Sequence, residues 1–198
     1  MRTRKLVVAT VWMAASAACY GAQACEPKVE SVVVVHLENL GVAPTFVLVR
    51  AKTVVADMFA GIGVRLEWKE GAPRAARLSA PCTAQASEIL EVEFDERAAA
   101  RFPEDAMAYA VPGKTGVCIH IFYPRVAAAT TRRLTSVLLA HVLAHEITHV
   151  LEGVARHSED GVMKAHWNSR DYQQMSDHPL PFAQEDVQLV RAHLARLP

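Results

Sequence analysis

Hydrophobic residues follow two rhythms along this chain. The first has period two. Glu30–Leu37 (ESVVVVHL) is a β-branched run that predicts a buried strand. Val64, Leu66 and Trp68 alternate with Arg65 and Glu67, predicting a strand over 64–68. Leu90, Val92 and Phe94 alternate with Ile89, Glu91 and Glu93, predicting another over 88–94. Ala106–Val111 and Gly116–Tyr123 read as two more, joined by the turn sequence Pro112-Gly113-Lys114-Thr115. The second rhythm is helical. Phe46, Val47, Val49, Val54, Val55, Met58 and Phe59 recur at helical spacing between Pro44 and Ala60, and Gly61-Ile62-Gly63 ends that helix. A longer helix is predicted from an N-cap at Thr130 or Thr131 to about Glu152, with Gly153 at the C′ position. Arg170–Met175 reads as one helical turn and Ala183–Leu197 as an amphipathic closing helix. Residues 69–87 and 154–169 carry little pattern, and Glu96–Glu104 reads as a short helix or loop closed by Pro103.

These elements predict an α+β fold: a mixed, twisted sheet of five strands packed on two long helices, with a short C-terminal subdomain ending in the closing helix. The expected organisation is one domain over 25–198, divided at Gly153 into a 25–153 subdomain and a 154–198 subdomain.

The first 24 residues read as a targeting segment rather than as part of the fold. Arg2, Arg4 and Lys5 precede the 13-residue uncharged run Leu6–Ala18, too short for a membrane span, and Ala22-Gln23-Ala24 is an A-x-A cleavage site. The expectation is a secreted or periplasmic protein beginning at Cys25, with no integral membrane segment after cleavage; a lipid anchor at Cys19 is the alternative. Cleavage lowers the basic count from 21 to 18 against 21 acidic residues, a net charge of −3, so nucleic acid is not an expected partner. Export permits a disulfide among Cys25, Cys82 and Cys118, with three possible pairs. A monomer is expected.

The candidate chemistry lies in the long helix. Leu134, Val137, Leu138, Leu139, Val142, Leu143, Ile147, Val150 and Leu151 make it apolar almost all round. Inside it sits His145-Glu146-Ile147-Thr148-His149, the H-E-x-x-H pattern. A helix advances about 100° per residue, so two side chains four apart share one face and two imidazoles there can bind one zinc ion. Glu146 then lies beside a metal-held water as a general base. Two chance histidines in a buried helix are the alternative. Imidazoles and a carboxylate are costly there unless a metal or hydrogen bonds satisfy them. A catalytic zinc needs a third protein ligand. His157, beyond the break at Gly153, is the first candidate; Glu152, Glu159, Asp160 and Glu185 are rivals, the last in a gluzincin-type arrangement. His141 shares the helical face of His145 and reads as a hydrogen-bonding core residue; His166 is a weaker candidate for stabilising an oxyanion.

His145, Glu146, His149, Gly153, His157 and Met163 together resemble the metzincin clan of zinc metallopeptidases, whose pattern is H-E-x-x-H-x-x-G-x-x-H followed by a Met-turn. His157-Ser158 resembles the His-Ser pair of matrix-metalloprotease-like members, and Gly161-Val162-Met163 resembles the Met-turn. The interval between the second and third histidines, Val150–Arg156, is two residues longer than the clan's. The resemblance implies a zinc metalloendopeptidase with His145, His149 and His157 on Zn²⁺, Glu146 as catalytic base, Met163 as the floor of the site, and a peptide or protein substrate laid along the strand 106–111. A non-catalytic exported binding protein on the same fold is the alternative from another class.

Overall fold

A computed structural model describes residues 31–72, 88–97, 102–112 and 116–197. The expected targeting segment, the possible anchor Cys19, and Cys25 and Cys82 lie outside the described residues. Cys118 is buried and free.

Five strands form one sheet: β1 (Ser31–Glu38), β2 (Val64–Glu70), β3 (Glu88–Asp95), β4 (Ala108–Pro112) and β5 (Val117–Phe122), in the order β2-β1-β3-β5-β4. β1 pairs in parallel with β2 and β3, and β3 with β5; β4 runs antiparallel to β5 at one edge. Alternation sets the two faces. Val33, Val35, Leu37, Leu90, Val92, Phe94, Ile119 and Ile121 are buried in the core. Glu93 and Asp95, their neighbours in sequence on β3, carry charge to the other face.

Two long helices close the core side. They are α1 (Thr45–Gly61), through Val47, Leu48, Ala51, Val55, Met58 and Phe59, and α3 (Thr135–Glu152). α3 is buried from Thr135 to Ala144, which accounts for its apolar circumference: it packs against α1, the sheet and the closing helix α5 (Gln184–Leu194). α4 (Ser169–Asp177) is capped by Asn168, whose side chain accepts from the Arg170 and Asp171 N–H groups. No helix among the described residues is long and apolar enough to cross a membrane.

β4 begins at Ala108 rather than Ala106, and α4 has nine residues where the sequence pattern predicts one helical turn. The sequence reading departs from the structure in three further places. The run Gly116–Tyr123 is not all strand: Tyr123 opens a short helix, α2 (Tyr123–Ala128), with Pro124 in its first turn, where its missing N–H is harmless. β2 continues to Glu70, because Lys69 and Glu70 pair with His36 and Leu37 of β1. Neither Thr130 nor Thr131 caps α3 through its hydroxyl. The helix starts at Thr135 after a turn in which the Thr131 carbonyl accepts from Leu134 and Thr135. Gly153 does end it, with φ 68° and its N–H on the His149 and Val150 carbonyls.

Candidate metal centre

α3 presents His145 and His149 one turn apart, with their Nε2 atoms 3.0 Å from each other and ring planes at 83°. The left-handed Gly153 turns the chain back. The Ser158 N–H then bonds to the Met163 carbonyl at 2.9 Å, closing a small loop that returns His157 to the other two rings. Its centroid lies 5.3 Å from that of His145 and 5.0 Å from that of His149. A ligand nitrogen of each of the three lies within 4.8 Å of the others. His145 and His149 are half-buried and His157 is exposed.

These groups fit a metal on two grounds. The Val162 carbonyl can only accept, so the bond of 2.9 Å between it and His145 Nδ1 puts the ring proton there and turns the Nε2 lone pair inward. Burial pushes the His145 imidazole down to about 4 and lowers His149 as well, so both rings are held neutral, the form that binds metal. Two such nitrogens facing one point at 3.0 Å approach the spacing of about 3.3 Å that a tetrahedral zinc requires of ligands about 2.05 Å from the ion.

Glu146 follows the first of these rings and lines a cavity of about 390 Å³ beside it. Burial pushes its carboxyl up to about 7. The cavity runs between Ala106, Met107 and Ala108, leading into the edge strand β4, and Lys164–Trp167, and Val142 and His145 also line it. The second wall is braced. Lys164 Nζ donates to Asp171 Oδ2 at 2.7 Å, and the same oxygen accepts from the Asn168 N–H. Trp167 meets His145 edge-on at 5.7 Å. His166 is exposed on the same wall.

Met163 is fully buried in the turn that follows His157. That turn is pinned at Val162, whose N–H donates to the Pro181 carbonyl while its own carbonyl accepts from His145. Gly161 is required there: its φ is 80°, and a Cβ would run into the Pro181 carbonyl oxygen.

The rival carboxylates do not join the three imidazoles. Glu185 is exposed and faces Arg156 at 3.6 Å, leaving the gluzincin-type arrangement without its ligand. Glu152 is buried at the end of α3, also 3.6 Å from Arg156. Glu159 and Asp160 are exposed. Another group, Glu93, Cys118 and His120, meets across β3 and β5. There His120 Nδ1 lies 3.2 Å from Asp95, and burial with the neighbouring carboxylates pushes the Cys118 thiol up to about 12, so it stays protonated.

Sequence reasoning missed Asp186. It is fully buried in the first turn of α5 and takes hydrogen bonds from Arg156, Ser158 and the Ala183 N–H. An acidic residue three places into a helix is a recognisable capping signal, but nothing local points from it to Arg156, 30 residues away.

No protein-family model matches the chain, and no curated protein matches it. Solved structures do. Archaemetzincin from Methanopyrus kandleri superposes with a TM-score of 0.52 at 14% identity, covering 86% of this chain and 99% of that one. The likeness is one of fold: this chain shares the mixed α+β architecture of that structure.

Proposed function

We propose that this protein is an exported zinc metalloendopeptidase. The observation that carries the reading is the meeting of His145, His149 and His157, with His145 and Glu146 lining a cavity. The three imidazoles would hold Zn²⁺ and leave a fourth position for solvent. Zinc would supply a Lewis acid for the substrate carbonyl and lower the pKa of a water held there toward about 7. Glu146 takes the proton of the attacking water and returns it to the leaving amine. Its buried carboxyl, raised to about 7, suits a group that both accepts and releases a proton near neutrality. β4 ends the sheet among the described strands, so an extended peptide can add to it by backbone hydrogen bonds and cross the cavity. Met163, fully buried, would form the floor beneath the rings without offering a ligand. Residues 1–24 would direct export and be removed.

Two measurements test this. Purified protein should contain one zinc per chain by elemental analysis and should cleave unstructured polypeptides in a mass-spectrometric digest. Glu146→Gln should keep the zinc and lose cleavage by a factor of at least about 100. Full activity in that variant would remove the mechanism. A zinc-loaded wild type that cleaves nothing would favour the non-catalytic binding protein.

A further inference from the structure

His157 is the exposed member of the three, and it sits on a stretch, Val154–His157, that belongs to no helix or strand. A ligand carried on such a segment needs something to hold it against the pair on α3. Both of its chain neighbours are held by one carboxylate. Arg156 Nη2 donates to Asp186 Oδ1 at 2.5 Å, and Ser158 Oγ donates to the same oxygen at 2.6 Å. Arg156 Nη1 also reaches Ser158 Oγ at 3.3 Å, closing a ring of contacts around residue 157. The other oxygen, Oδ2, accepts from the Ala183 N–H at 2.9 Å, which fixes the carboxylate to the start of α5. α5 is in turn anchored in the core by Val190 and Leu194.

We propose that Asp186 is a positioning residue for the third metal ligand: through Arg156 and Ser158 it clamps both sides of His157 and delivers that ring to His145 and His149. The inference rests on the zinc reading above. A buried carboxylate at a helix start could serve only as a cap, and for that the Ala183 bond would suffice. The two further donors, arriving from either side of the same ligand, are what a cap does not need. The seven residues Val150–Arg156 between the second and third histidines give the loop slack, and Arg156 takes it up by reaching back to Glu152 at 3.6 Å and across to Asp186.

The test is a double-mutant cycle read as zinc affinity, by competition with a chromophoric chelator against zinc chloride. Asp186→Ala should weaken zinc binding about 10- to 100-fold, the usual effect of removing a group that orients a ligand. In a His157→Ala background the same substitution should change affinity less than about 2-fold, because the ring it positions is gone. Arg156→Met and Ser158→Ala approach the clamp from the loop side and leave the α5 cap intact. They should show the same loss and the same dependence on His157, and they decide the matter if Asp186→Ala does not fold. Cobalt-substituted Asp186→Ala should give the altered visible spectrum of a centre with one imidazole fewer. If wild type binds no zinc, the metal reading fails and this inference with it. If wild type binds zinc but the substitutions leave affinity unchanged, or weaken it equally without His157, the clamp alone is refuted.

Discussion

His141 Nε2 accepts a hydrogen bond from the backbone N–H of Leu180, 3.0 Å away and 39 residues further along the chain. The opposite nitrogen, Nδ1, donates to the Val137 carbonyl at 2.7 Å, so the tautomer is set from both sides. This ring joins α3 to the segment whose Pro181 carbonyl supports the Val162 turn, and that turn in turn orients His145. His141 is wholly buried and serves the candidate centre without meeting it.

Replacing His141 with Phe leaves the Leu180 N–H buried without a partner, which costs about 1–3 kcal/mol. Chemical denaturation should show that loss in metal-free and zinc-loaded protein alike. Burial lowers the His141 pKa below its ordinary 6.5. Below about pH 6.5 the unfolded chain binds a proton here that the folded one refuses, so this residue's contribution is present above 6.5 and is lost as pH falls toward the folded value. The gap in stability between wild type and His141→Phe should therefore close on acidification.

Glu152 has the opposite sign. It is buried at the end of α3, and burial raises its carboxyl to about 7 although Arg156 opposes the shift. Between pH 4.5 and 7 the folded protein binds the proton more tightly than the unfolded chain, so stability falls as pH rises through that window. Glu152→Gln should be more stable than wild type at pH 8 and should lose that advantage by pH 4.5. Thermal melts across the range read this directly.

Gly161 tolerates no side chain, because its φ of 80° is unfavourable for an L-residue and the Pro181 carbonyl occupies the space a Cβ would need. Gly161→Ala should cost about 2 kcal/mol or more. Because the shift is transmitted through Val162 to the ring of His145, zinc affinity should fall together with the melting temperature. A variant with unchanged affinity would show that the turn and the ring are independent.

Removing zinc with a chelator should lower the melting temperature of wild type, since a ligand at about 1,000 times its Kd stabilises the folded state by about 4 kcal/mol. His149→Ala should melt at the same temperature with and without chelator. Met163→Leu, which nearly conserves volume in a fully buried site, should cost less than about 1.5 kcal/mol and keep the zinc.

Much of the fold was legible because its signals are short-ranged. Leu90, Val92 and Phe94 face the core because a strand alternates, and the five-stranded sheet with its two long helices follows from such runs. Where the signal was ambiguous the reading slipped. Ile121, Phe122 and Tyr123 continue the strand-like run, so nothing but Pro124 marked the change from β5 to α2. The hydroxyls of Thr130 and Thr131 looked like caps because capping residues are common at helix starts, yet the Thr131 carbonyl carries the turn before α3.

By itself, the sequence determined that His145, Glu146 and His149 share one stretch of helix and that the helix ends at Gly153, because helical spacing and glycine's freedom are properties of the chain's own next few residues. Tertiary structure decided the rest: that the ring of His157 comes back to the other two, that Glu185 turns instead to Arg156, and that Asp186 holds Arg156 and Ser158. Those contacts arise only once α5 has docked on α3, and the free energy of that docking lies in buried side chains from distant parts of the chain, which no local pattern records.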